Sequence, residues 1–190
     1  MQNHQDPKIG EQKPKPSYAA LLIDMQEEYV AELSQKDREL IIPSQIAVIR
    51  YCAANKIPVI LIEHDWDVHG STIRALQDAY DSAENRPTVY KDYANVFTNT
   101  DLDSILKSLS VNYLLLMGMN ASGCVKHTAL GARGSGYGFF TSAKLIADAE
   151  IVNNRVNDSN KSRQWYIDRG ILVEKKTFVD DYAHPEELFK

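Results

Sequence analysis

Cysteine is scarce in this chain. Cys52 and Cys124 are the only two in 190 residues, too few for a disulfide framework, and this usage points to a reducing compartment. Long apolar runs are missing as well: no segment approaches the ~18 consecutive apolar residues of a spanning helix, and the N-terminus has no uninterrupted apolar core behind its charges. Basic charge is in short supply. Lys and Arg number 21 against 26 Asp and Glu, a net charge of −5, and no basic run or aromatic-studded basic face appears, which argues against nucleic acid as the main partner. The expectation left by these absences is a soluble cytoplasmic protein with no membrane or nucleic-acid partner.

What is present is core-forming sequence. Hydrophobic residues make up 44% of the chain, which suits one globular domain with a sizeable interior. Residues 1–17 stand apart as a polar arm, with Pro7, Pro14 and Pro16 and mixed charges and too little apolar surface to fold alone. Within 18–190, short apolar runs read as strands at Tyr18–Ile23, Ile57–Ile62, Thr88–Lys91, Leu114–Gly118, Tyr137–Ser142 and Ile171–Val173. Between them lie helical patterns. Ile42, Ile46, Ile49 and Ala53 form a stripe over 42–55 with Cys52 beside it, and Gly70 and Ser71 open a short segment to Asp81 that also reads as helical. Thr100 and Asp103 resemble a capping box ahead of Leu102, Ile105, Leu106 and Leu109; another helix starts near Ser122 and runs through Ala132; Asp158–Arg169 ends at Gly170. The alternation predicts a three-layer, Rossmann-like α/β sandwich, its mostly parallel sheet of about six strands flanked by helices.

Candidate chemistry gathers at strand ends. In open parallel sheets the ligand crevice lies beyond the carboxyl ends of the strands, where Asp24, Lys91 and the loop into Cys124 are found. Cys124 falls in the first turn of a helix, where free N–H groups and the positive helix end favour a thiolate. Each residue also has a structural reading: Cys124 as a small packing residue, Asp24 as a turn former or cap, Lys91 as a surface cation. Glu63-His64-Asp65-Trp66-Asp67-Val68-His69 contains ligand-type side chains after a strand, but no pair has the helical spacing of a strong metal motif.

Three features in fixed order decide between these readings: Asp24-Met25-Gln26 after the first strand, Lys91 with Phe97 and Thr100 behind it, and Gly118 followed six residues later by Cys124-Val125 and Thr128. Together they resemble the isochorismatase-like cysteine hydrolase superfamily over roughly residues 18 to 175. The resemblance implies a catalytic triad of Asp24, Lys91 and Cys124, and a non-proline cis peptide at Met119-Asn120. It also implies an oxyanion hole from the N–H groups of Asn120 and Cys124, no cofactor, and a homodimer or homotetramer. Its chemistry is C–N bond hydrolysis of a small amide, imide or ureido compound through a thioester.

The chain departs from the family pattern in places. Nicotinamidases of the superfamily carry Asp-x-His and a later His as metal ligands, whereas here the stretch reads Asp65-Trp66-Asp67 with His69 nearby. No metal is therefore expected, although Asp65, Asp67 and His69 remain open as a different ligand set. Asn95-Val96-Phe97 replaces the family's Ser-Ala-Phe, and Asn120, Ala121 and Ser122 depart from the run usual before the cysteine. Tyr29, His64, Trp66, Tyr93 and Phe97 are the expected pocket lining. The competing readings are a Cys124–His127 dyad, a nicotinamidase with an altered metal site, and a non-catalytic binding protein on the same fold.

Overall fold

A computed structural model describes residues 16–64, 66–152, 155–171 and 188–189. The N-terminal arm up to residue 15 and the strand expected at Ile171–Val173, beyond Ile171 itself, lie outside them. Five strands form one parallel sheet: β1 (Tyr18–Ile23), β2 (Val59–His64), β3 (Thr88–Lys91), β4 (Tyr113–Gly118) and β5 (Gly138–Phe140), in the order β3-β2-β1-β4-β5. A separate antiparallel pair joins β6 (Ile151–Val152) to β7 (Arg155–Val156). The expected sixth strand of the main sheet is thus not among the described residues; Ile171 O accepts from Thr141 N, and Ile171 N donates to Tyr166 O.

Period-two alternation divides the strands between two cores. Ala20, Leu22, Val59, Leu61, Leu115 and Met117 face one side; Ala19, Leu21, Ile23, Ile60, Ile62, Leu114 and Leu116 face the other. Because both faces are covered, the central strands read as continuous apolar runs. On the first side pack α1 (Glu27–Ala31), α2 (Gln35–Ala54) and, after the single-turn α3 (Trp66–His69) that follows β2, α4 (Arg74–Tyr80). The second side is covered by α5 (Leu102–Ser108), α6 (Cys124–Gly134) and α7 (Ser159–Ile167).

Two helices differ from the sequence expectation for physical reasons. The helix expected from residue 42 begins at Gln35, where Ser34 Oγ accepts from Asp37 N, and it continues through Pro43. Its buried line runs through Ile41, Gln45, Val48 and Cys52, leaving Ile42 and Ile46 at the margin. Asp103 closes no capping box: it bonds Lys107 and the Tyr137 hydroxyl, and Leu102 N donates to Thr100 Oγ1 at 3.3 Å.

Candidate active site

The sheet order sets the geometry. With β3 and β1 separated by β2, their ends stand about 10 Å apart at ordinary strand spacing, a gap that the long Lys91 side chain crosses. Lys91 closes β3 opposite His64 of β2, and only 2% of it is exposed. Asp24 follows β1 in the left-handed region, φ 52°, which Asp tolerates better than most residues. Lys91 Nζ lies 2.8 Å from Asp24 Oδ2 and 3.5 Å from Cys124 Sγ.

Cys124 is delivered by the next strand. β4 ends at Gly118, φ 122°, where an added Cβ would stand 2.0 Å from Ile23 O; only glycine permits that approach. The Met119–Asn120 peptide is cis, and α6 starts at Cys124 itself. The amides of this turn are largely engaged. Met119 N donates to Ile23 O, Ala121 N to Ala147 O, Ser122 N to Asp148 Oδ1, and both Gly123 N and Val125 N to Asn120 O. Among the described residues, the amides of Asn120 and Cys124 meet no protein acceptor.

Burial acts in the same direction on two of the three side chains. Burial pushes the Asp24 carboxyl above the usual carboxylate range, and Lys91 pulls only part of the way back. Burial, followed by the Asp24 charge, holds the Cys124 thiol up at about 11 against the opposing pull of Lys91. The expectation of a resting thiolate is therefore corrected: low dielectric and a neighbouring anion outweigh the helix terminus and the lysine. Asp24 Oδ1 has no hydrogen-bond partner among the described residues. A buried ion pair with an acceptor left open is poorly explained by stability alone.

The sequence profile of the Isochorismatase domain family matches residues 18–157. This chain belongs to that family. A curated relative, maleamate amidohydrolase of Pseudomonas putida, is 27% identical over 119 residues, 62% of this chain and 53% of that protein, so the chain spans about half the length of that relative. The crystal structure of a nicotinamidase from Staphylococcus aureus superposes with a TM-score of 0.71 at 20% identity, covering 84% of this chain and 99% of that one. N-carbamoylsarcosine amidase from Thermoplasma acidophilum gives 0.65 at 18%, covering 87% and 99%. These structural likenesses establish an isochorismatase-like hydrolase fold.

Within this isochorismatase fold a cavity of about 260 Å³ opens over the strand ends, lined by Asp24, Tyr29, His64, Lys91, Ala94, Met119, Asn120 and Cys124. Two of the expected pocket residues, Tyr29 and His64, are on its wall, with Tyr29 Oη 3.0 Å from His64 Nδ1. Burial and nearby negative charge raise the Tyr29 hydroxyl, which keeps its proton. Tyr93 and Phe97 are corrections: Tyr93 turns outward at 51% exposure, and Phe97 packs on the second core with its ring 5.7 Å from that of Tyr137. Asp65 and the side chains of Trp66 and Asp67 fall outside the described residues. His69 pairs with Glu28 at 2.8 Å and stacks on Tyr29, and no group of three or more metal-ligating side chains exists among the described residues. His127 is exposed and lies off the cavity wall, which removes the basis for a Cys124–His127 dyad. Sequence reasoning missed Ala94, for which small size is the only signal, and Asp148, an acid after an apolar run just as Asp24 is.

Proposed function

We propose that this chain is a cysteine amidohydrolase that cleaves the C–N bond of a small amide, imide or ureido compound through a thioester acyl-enzyme. The observation that carries the reading is the convergence of an acid, a cation and a thiol at 2.8 and 3.5 Å on one cavity wall. Cys124 Sγ attacks the carbonyl carbon while its proton passes to Asp24, and the carbonyl electron pair moves onto oxygen. The open amides of Asn120 and Cys124 receive that oxyanion, an arrangement worth about 3 kcal/mol of barrier per donor in comparable sites. Collapse expels the amine, which leaves with the proton from Asp24. Water then gives a proton to Asp24, adds to the thioester, and releases the acid as the thiol is restored.

Lys91 keeps Asp24 ionised enough to act as a base and lowers the cost of the developing thiolate. The names of the relatives, maleamate amidohydrolase, nicotinamidase and N-carbamoylsarcosine amidase, support amide cleavage, and a cavity of about 260 Å³ favours compact substrates. The test is ammonia release from a panel containing maleamate, nicotinamide, N-carbamoylsarcosine and simple ureas. Turnover of at least one member, lost in Cys124→Ala, is expected. Persistent turnover in that variant would remove the thiol from the reaction. Silence across the panel with Cys124 still alkylated by iodoacetamide would favour a binding protein on the same fold.

A further inference from the structure

The turn that leaves two amides open is held from behind by a residue outside the triad. Asp148 is 1% exposed, and its Oδ1 accepts from both Ser122 N at 2.8 Å and Ser122 Oγ at 2.6 Å. Its own amide donates to Ser159 Oγ at 3.0 Å, and Ser159 Oγ bonds Asp37 Oδ2 at 3.0 Å. Asp37 in turn meets Arg163, whose guanidinium also donates twice to Ile146 O. Flanking ties run parallel to this one: Ala149 N to Asn120 Oδ1 at 2.6 Å, and the Tyr166 hydroxyl to Ala121 O at 2.6 Å.

Resting on the hydrolase reading, we infer that Asp148 is a positioning residue for acyl transfer: through Ser122 it fixes the turn so that the Asn120 and Cys124 amides stay aimed at the oxyanion. In the run from 120 to 125 every other amide has a backbone acceptor or none, and Ser122 alone is held by a side chain. That side chain is a buried carboxylate, so the bond is charge-assisted and short. Releasing it frees the Ser122 amide and hydroxyl to compete for the space in front of the nucleophile. Misaimed donors weaken a contact made only as negative charge develops, so the loss appears in the acylation step and not in the reactivity of the sulfur.

The experiment compares two reagents on the full chain. p-Nitrophenyl acetate acylates the thiol through a tetrahedral oxyanion: a C–S bond forms, the ester C–O bond breaks, and nitrophenol departs with the thiol proton. Iodoacetamide alkylates the same sulfur by displacing iodide, with no oxyanion. Asp148→Ala is expected to slow acylation about 10- to 100-fold while alkylation changes less than about threefold. Asp148→Asn, which keeps an acceptor for Ser122, is expected to retain acylation within about threefold. Ser122→Ala, which loses only the hydroxyl partner, supplies the test if Asp148→Ala does not fold, with an expected loss of about 2- to 10-fold. Acylation at the unaltered rate in Asp148→Ala, or in Ser122→Ala where Asp148→Ala does not fold, would overturn the inference, as would acylation and alkylation falling together in either variant. If the unaltered protein releases no more nitrophenol than Cys124→Ala, the hydrolase reading itself falls and this inference with it.

Discussion

At the scale of single residues, the chemistry rests on opposing pressures on two protons. In the proposed mechanism Asp24 must be ionised to accept the thiol proton, and burial raises its pKa. The sign follows: as pH falls through that raised value the base is lost, so the acid limb of kcat/KM is expected above the ~4 of an ordinary carboxylate. Asp24→Asn should cost about 10²- to 10⁴-fold in turnover and abolish this limb; a limb unchanged in the variant would assign it to another group. Cys124, held at about 11, is expected to alkylate slowly at neutral pH and about tenfold faster for each unit of rising pH below that value. Lys91→Met should push the thiol higher still and slow alkylation at pH 8, because its charge opposes both burial and Asp24. A pH series with mass-spectrometric readout of the labelled peptide distinguishes Cys124 from Cys52, which is fully buried and raised to about 12.

At the scale of elements, the β4–α6 turn has the least freedom. Gly118 combines a positive φ with a backbone oxygen where a side chain would begin, so relief requires β1 and β4 to separate at the point where Asp24 leaves one and the nucleophile loop leaves the other. Gly118→Ala is expected to destabilise the fold by more than about 3 kcal/mol or to prevent folding. A urea midpoint within error of the unaltered protein would contradict the close approach. The neighbouring wall is held differently: the Gln26 amide donates to His64 O and Gly70 O and accepts from His64 N. Glu63 accepts from Thr72 N and Oγ1. Those ties hold the backbone at His64 and set the distance between Tyr29 and the catalytic side.

At the scale of the whole molecule, the described end of the chain returns to the far end of the sheet. Phe189 meets Tyr18, Tyr51 and Phe140 at ring distances of 5.4, 5.6 and 6.0 Å, with Leu188 buried beside it. Phe189→Ala is expected to lower stability by about 2 kcal/mol, with little effect on turnover because the strand ends that carry the proposed site lie at the opposite edge. Urea unfolding and kinetics on one preparation check both halves of that statement. The sequence by itself determined the succession of elements along the chain: continuous apolar runs at β1, β2 and β4, alternating with helical patterns, predict doubly covered parallel strands, with Asp24 just after β1, Lys91 at the end of β3 and Cys124 in the helix that follows β4. It also contained the motif spacing by which the family is recognised. Tertiary structure decided the rest, because the rest depends on residues distant in sequence. Only strand order shows that Lys91 reaches across β2 to Asp24. Only burial next to an anion shows that the Cys124 thiol keeps its proton. Tyr93 and Phe97 follow the same rule, since which way an aromatic ring turns is settled by the packing around it, and Asp148 touches the nucleophile turn solely because the segment after β5 folds back along the end of β4.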